Sequence, residues 1–281
     1  MASPSFQDVW QYSRQLQRIA QEAGKELIAA LEKIDIEDID LVKSIVTAIA
    51  EKYGLASGEL GAQWYEYCKA GKFTSGYTAI TGQVSRYGVR SDVDAVMTKY
   101  NAGEIDLATA TARLGGVAVD QVKKNARDTI LGNLNEEYLE ARRTGRKDIA
   151  DMCGYSRVPV GDTCAFCCLL ASRGFVYKSE RSALYDNYGN KYHDGCDCVA
   201  VPFTKASGIP GYGGKLSEYE SMYRSADNLR RSGNMPDDLR ERIYDAKAKH
   251  RADYEAGLTS DRWSTLNEDL IIMRYQNPGM H

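Results

Sequence analysis

Apolar residues recur every three or four positions along most of this chain, a spacing that places them on one face of an α-helix. The first such stretch covers residues 6–34 and contains no proline. Two further stretches, 40–53 and 57–67, flank a short interruption at Gly54. The pattern therefore predicts three helices, and Gly54 is expected to end the second of them.

Residues 71–90 are rich in glycine, serine and threonine and show little helical period, which predicts a long connection. Helical spacing returns in residues 91–100, 106–114 and 117–150. Gly115 and Gly116 separate the last two of these stretches and are expected to break the helix. The first 150 residues are thus predicted to form a helical domain.

The pattern changes abruptly after residue 150. β-Prone residues at 155–160, 175–177 and 199–203 surround a short helical stretch at 164–171, which predicts a small α+β module over residues 151–205. Residues 206–281 return to helical spacing but are polar and rich in charge, so they are expected to form a helical tail. The predicted fold class is mainly α, with a small α+β module rich in cysteine and histidine in the C-terminal half.

Composition restricts the class of protein. The 281 residues are 43% hydrophobic and 27% charged, as in globular proteins that fold in water. We expect no membrane span, because no apolar run approaches about 18 residues, and no secretory signal, because the N-terminus lacks a basic start followed by an apolar core. A net charge of −3 argues against a dedicated nucleic-acid-binding protein, which would carry a basic excess.

The most informative stretch is 157–202, which holds five of the seven cysteines. Two short clusters that flank a loop are typical of a tetrahedral zinc site, and here the candidate ligands are Cys164, Cys167, His193, Cys196 and Cys198. Cys168 adds a sixth candidate, so the spacing does not decide which four residues would bind the zinc ion. Without a secretory signal, a reducing cytoplasm favours metal over disulfides, although a bond from Cys164 or Cys167 to Cys196 or Cys198 is the alternative. A fully liganded site leaves no position for water, which indicates a structural zinc ion.

Catalytic alternatives have less support in the sequence. A cysteine nucleophile would need His193 or His250 as its base, but His193 belongs to the metal-like cluster and His250 to a polar helix. Glu218 and Glu220 resemble the paired glutamates of ADP-ribosyltransferases, yet they lie on a helix that is expected to be solvated. We therefore predict that the chain is not an enzyme, with a zinc hydrolase, a cysteine hydrolase or a transferase toxin as the alternative class.

Four short motifs carry a resemblance to a known family. They are Arg157-Val-Pro-x-Gly, Thr163-Cys-Ala-Phe-Cys, Leu170-Ala-Ser-Arg-Gly-x-Val-Tyr and Tyr192-His-x-x-Cys-x-Cys, the last followed by Val201-Pro202. Together they resemble the MuF-like minor head proteins of tailed bacteriophages, in the form found in phages and prophages of actinobacteria. The resemblance covers roughly residues 120–203. Cys168 departs from it, because an aliphatic residue is expected at that position.

The resemblance implies a structural role in head morphogenesis. Such proteins sit with the portal protein at one vertex of the capsid, in few copies, and act in procapsid assembly or genome delivery. The implied partner is the portal protein, and the major capsid protein, the scaffolding protein and the phage DNA are further candidates. The implied location is the virion, after synthesis in the cytoplasm of the bacterial host.

Overall fold

The structure is a computed structural model that describes residues 3–161, 164–172, 198–256 and 263–280. It is mainly helical with few strands, which confirms the predicted fold class as far as its helical character is concerned. The chain divides into two compact units. The first contains Trp10–Cys153, and the second contains Ser3–Val9 together with Gly154–His281.

The first unit is built from helices. In chain order they are α1 (Phe6–Leu31), which belongs to this unit from Trp10 onward, α2 (Ile39–Lys69), α3 (Arg86–Asn101), α4 (Leu107–Arg143) and α5 (Lys147–Met152). The second unit combines helices with a two-stranded ribbon, and its described elements are β1 (Tyr155–Val158), α6 (Ala165–Ser172), β2 (Val199–Pro202), α7 (Gly213–Ser232), α8 (Asp237–Glu255) and α9 (Thr265–Gln276).

The predicted end of a helix at Gly54 is wrong, because α2 runs through this position without interruption. Gly54, Gly58 and Gly61 lie on one side of α2, where neighbouring atoms approach the helix backbone closely. A β-carbon at Gly54 would lie 2.2 Å from Val84 Cγ2, and one at Gly61 would lie 2.7 Å from the carbonyl oxygen of Ala126 in α4. These glycines therefore allow close packing and do not end the helix.

The predicted break at Gly115 and Gly116 is wrong for the same reason. α4 continues through both glycines, and a β-carbon at Gly115 would lie 3.0 Å from the side chain of Ile28 in α1. The helix ends instead after Arg143, where Gly145 adopts a positive φ of 72° that favours glycine. The long helix predicted over residues 117–150 is thus split by this turn into parts of α4 and α5.

The connection predicted over residues 71–90 is shorter than expected. α3 begins at Arg86, five residues before the predicted start at Ser91, because Ser85 caps the helix and its side-chain oxygen accepts a hydrogen bond from Gly88 N at 3.1 Å. The remaining residues 72–85, here called the strap, contain no helix or strand. They run from the end of α2 to the start of α3.

Apolar faces of four helices form the core of the first unit. Leu27 of α1, Val46 of α2, Met97 of α3 and Leu114 of α4 belong to this core, and each is at most 1% exposed. Burial of such side chains contributes about 1.5–3 kcal/mol each, so this apolar contact is what holds the helices together.

The second unit has an antiparallel ribbon at its centre. β1 pairs with β2 from Tyr155 opposite Pro202 to Val158 opposite Val199, and every residue of both strands is buried. α6 and α9 pack against α7. The strands predicted near 155–160 and 199–203 and the helix at 164–171 are confirmed, and the strand predicted at 175–177 lies outside the described residues.

Candidate functional site

The first cysteine pair is positioned by the start of α6. Cys164 immediately precedes the helix, and its sulfur accepts a hydrogen bond from the backbone N–H of Cys167 at 3.3 Å. The sulfur therefore occupies the position of a side-chain cap, where N–H groups and the helix dipole favour negative charge. The thiolate is the form of cysteine that binds a metal ion.

The ribbon positions the last cysteine of the cluster. Cys198 directly precedes β2, whose register with β1 is fixed by the four residue pairs of the ribbon. Two hydrogen bonds secure the opposite end of the ribbon, from Phe203 N to Gly154 O at 2.8 Å and from Ser156 Oγ to Thr204 O at 2.8 Å. The position of Cys198 is thus set by secondary structure.

These two elements bring three of the predicted ligands together. Cys167 and Cys198 are buried against each other, and the partly exposed Cys164 packs against them. His193 and Cys196 lie outside the described residues. Within the described ranges no group of three histidine, cysteine, aspartate or glutamate side chains has the arrangement of a metal site. The cysteines thus meet as the spacing predicts, but the described part of the set does not form a complete coordination sphere.

Cys168 differs from its neighbours in its electrostatic environment. It is fully buried in α6, and this burial raises the pKa of its thiol to about 12, with smaller contributions from Cys164 and Glu218. A thiol with that pKa is protonated near neutral pH and is therefore a poor nucleophile. Cys168 also lies outside the group in which Cys167, Cys198 and Cys164 pack together.

An aromatic group that the sequence did not reveal lies beside the cysteines. Tyr212 precedes α7 and is fully buried, and its ring stacks on Phe6 at 5.4 Å between ring centroids. Burial raises the pKa of Tyr212, and Tyr219, Cys198, Cys168 and Cys167 add to this effect, so the ring lies close to the thiols. Phe6 is held by a hydrogen bond from its backbone N–H to Pro210 O at 2.8 Å. No local pattern relates Phe6 to residues 200 positions away, so sequence reasoning missed this contact.

The candidate catalytic residues are not assembled into a site in the described structure. Glu218 is exposed, and Glu220 lies 3.8 Å from Arg224 in an exposed ion pair. Residues two apart on a helix do not face each other, so α7 directs the two carboxylates to different sides. His250 makes an edge contact with Trp263 at 5.6 Å between ring centroids.

None of the described helices combines the length and the apolar character needed to cross a bilayer.

Comparisons with known proteins show where this chain belongs. A model of the VG15 protein family matches residues 3–226. The gene 15 protein of Mycobacterium phage L5 is 27% identical over 153 residues, a match that covers 42% of this chain and 49% of the phage protein. The chain thus spans about half the length of this relative, and no solved structure matches. Because the family model matches well over half of the chain, the chain is a bacteriophage protein that belongs to the VG15 protein family.

Proposed function

We propose that this protein is a structural minor capsid protein of MuF-like type, which binds the portal protein of a tailed phage and acts in procapsid assembly or genome delivery. The observation that carries the proposal is the segment 157–202, whose motifs resemble those of MuF-like proteins and whose Cys164, Cys167 and Cys198 come together in space. Membership of a phage protein family supports the same reading.

The proposed role of the cysteine cluster is to stabilise the fold. A structural zinc ion would be held by Cys164, Cys167 and Cys198 together with His193 or Cys196, and it would supply binding energy that stabilises the second unit. The three described cysteines fit this role chemically, because Cys164 lies at a helix N-terminus that favours a thiolate. Cys168 is left out of the proposed ligand set because it lies outside the group that Cys164, Cys167 and Cys198 form.

No enzymatic step belongs to this proposal. Cys167 and Cys198 of the cluster are buried, and the glutamates of α7 do not face each other. The protein acts instead through its surfaces, and the proposed place of action is the phage head. The major capsid protein, the scaffolding protein and the phage DNA are secondary candidates as partners.

Isolation of procapsids tests the proposal. Particles are purified from infected or induced host cells, and their proteins are quantified by mass spectrometry against the portal protein. We expect this protein in few copies per particle, and we expect it to be lost from particles that form without the portal protein. Its absence from purified procapsids and virions would contradict the proposal.

Substitution of the candidate catalytic residues separates the enzyme class from the structural one. Glu218→Gln with Glu220→Gln, and separately His193→Ala, are expressed in the host and assayed for toxicity, with circular dichroism as the control for folding. For a structural protein we expect no toxicity that depends on the glutamates. Toxicity of the native chain that disappears in a folded variant would instead establish an enzyme.

A further inference from the structure

The hydroxyl of Tyr212 is a buried polar group that packing alone does not explain. The side chain lies in the second unit, just before α7, and is fully buried. No described residue forms a hydrogen bond with its oxygen. A buried hydroxyl that has lost its water and gained no partner costs free energy, and phenylalanine would fill the same space without that cost. The oxygen therefore indicates a state of the protein in which it is hydrogen-bonded.

The ring that carries this hydroxyl is held on several sides. It stacks on Phe6 with ring planes 25° apart, and Tyr219 makes an edge contact with it at 6.4 Å between ring centroids. Its backbone is held as well, because Tyr212 N donates to Ile209 O at 3.1 Å and Leu216 N donates to Tyr212 O at 3.1 Å. With ring and backbone both fixed, the hydroxyl is restricted to one small region of the second unit.

That region adjoins the cysteine cluster. α7 packs against α6, the helix that carries Cys167. The pKa of Tyr212 is raised by burial, then by Tyr219, and then by three thiols, of which Cys198 has the largest effect. Cys167 and Cys198 are also the two buried members of the proposed ligand set. The hydroxyl therefore lies beside the sulfur atoms that are proposed to bind zinc.

Zinc binding would concentrate negative charge in this region. Three or four thiolates around one Zn²⁺ ion leave a net negative charge, since the ion carries only two positive charges. In a buried site this charge needs hydrogen-bond donors from the residues around the ligands, and such donors also orient the ligands. The hydroxyl of Tyr212 is a suitable donor, because a tyrosine keeps its proton near neutral pH.

We propose that Tyr212 is a positioning residue for the zinc ion of the proposed function, on which this inference rests, and that its hydroxyl donates a hydrogen bond to the thiolate of Cys198. The bond gives the buried hydroxyl a partner and offsets part of the excess charge on the sulfur. Zinc binding and the pairing of Tyr212 therefore stabilise each other.

Tyr212→Phe tests the bond, because it keeps the ring that stacks on Phe6 and removes only the hydroxyl. Cobalt(II) is the probe, since it occupies thiolate sites and its sulfur-to-metal charge-transfer band reports the electron density on sulfur. A hydrogen bond lowers the energy of the sulfur lone pairs, so its loss should move the band of the saturated variant to longer wavelength. Zinc affinity, measured by competition with a chelator, should fall about 10–100-fold.

Ser156→Ala is the matched control for a loss of stability in the second unit. It removes the hydrogen bond to Thr204 O at the end of the ribbon opposite Cys198. Zinc binding that is coupled to folding should weaken as a result. The cobalt band should stay at the native wavelength, because no bond to a ligand is lost. If Tyr212→Phe behaves in the same way, with weaker binding and an unshifted band, Tyr212 only packs and the proposal is wrong.

A measurement on the native chain does not depend on any variant. When the protein is loaded with ¹¹³Cd²⁺, the hydroxyl proton of Tyr212 should exchange slowly with water and show a scalar coupling to cadmium across the hydrogen bond to sulfur. A hydroxyl proton without this coupling, in protein that holds the metal, would overturn the role of Tyr212 alone. A native chain that binds neither cobalt nor cadmium would instead contradict the zinc ion of the proposed function, and the role of Tyr212 would fall with it.

Discussion

The ammonium nitrogen of Lys69 lies 2.6 Å from a carboxylate oxygen of Glu137, and the two side chains are only 7% and 1% exposed. Lys69 is the last residue of α2 and Glu137 belongs to α4. Tyr65 also donates a hydrogen bond to the carboxylate at 3.1 Å, and Lys69 donates to Tyr77 O in the strap. One buried ion pair therefore connects two helices and the strap.

Removal of one partner of this pair is expected to destabilise the protein strongly. Lys69→Met leaves the Glu137 carboxylate buried without its cation, and loss of one partner of a buried pair costs about 3–5 kcal/mol. The free energy of unfolding, measured by urea denaturation, should fall by an amount of this order. Glu137→Gln should cost less, because the amide oxygen still accepts hydrogen bonds from Lys69 and Tyr65.

The double variant provides the control for this prediction. Lys69→Met combined with Glu137→Leu removes both charges, and replacing a buried pair by apolar residues is often nearly neutral. We expect the double variant to be more stable than Lys69→Met alone. If the effects of Lys69→Met and Glu137→Leu, each measured alone, simply add in the double variant, the residues are not coupled and the prediction is wrong.

Much of the helical content follows from the sequence, but the role of its glycines does not. The three- and four-residue period locates α1, because burial of one face is the condition that forms such a helix. Gly54 and Gly115 have the same local sequence signal as helix-ending glycines, yet they are in contact with Val84 and Ile28. Only the tertiary structure distinguishes a glycine that ends a helix from one that lets another segment approach.

In the candidate site, too, local spacing predicts some features, whereas contacts between residues far apart in the chain leave no local signal. The spacing of Cys164, Cys167 and Cys198 predicts that they meet, because short clusters on either side of a loop are typical of residues that share a metal site. Phe6 beside Tyr212 is a contact between residues far apart in the chain, and neither has a neighbouring motif. The buried pair of Lys69 and Glu137 was likewise missed, since a charged residue within a helix is expected to face solvent.

A glycine at a helix crossing should not tolerate a side chain. In Gly61→Ala the new methyl group would lie 2.7 Å from Ala126 O, so α2 and α4 must move apart. Overpacking of this kind costs about 1–3 kcal/mol and outweighs the gain in helix propensity. Thermal denaturation followed by circular dichroism should show a lower midpoint than in the native chain.

Gly132→Ala is the matched control for this change. Gly132 also lies inside a helix, α4, but a β-carbon there meets nothing within 4 Å. Alanine in place of glycine in a helix interior stabilises by about 1 kcal/mol, so this variant should be more stable than the native chain. Equal effects of the two substitutions would show that the crossing at Gly61 is not close-packed.

Alkaline pH should destabilise the first unit through Cys153. Burial, with the nearby Glu137 charge, raises the pKa of this thiol from 9.0 to about 12. The folded state therefore holds its proton where the unfolded chain has lost it. Stability is fully present below pH 9, and it should decrease as the pH rises from about 9 to about 12, by at most about 1.4 kcal/mol per pH unit.

Cys153→Ala isolates this effect from other groups that titrate at high pH. Tyr77, whose pKa burial raises to about 12, is present in both proteins and contributes equally. Urea denaturation at pH 8, 9 and 10 should give a steeper loss of stability for the native chain than for the variant. Parallel curves would mean that the thiol does not ionise differently in the two states.

The cysteine cluster yields the most direct test of the proposed zinc ion. If Cys164, Cys167 and Cys198 belong to a four-ligand site, protein purified without chelators should contain about one zinc per chain. Cys164→Ser and Cys198→Ser should lose the metal and unfold the second unit, because metal binding there contributes to folding. Cys168→Ala is the control, since Cys168 lies outside the proposed set, and it should keep both zinc and fold. Elemental analysis and thermal denaturation before and after chelation measure both properties, and fully folded native protein without zinc would exclude the site.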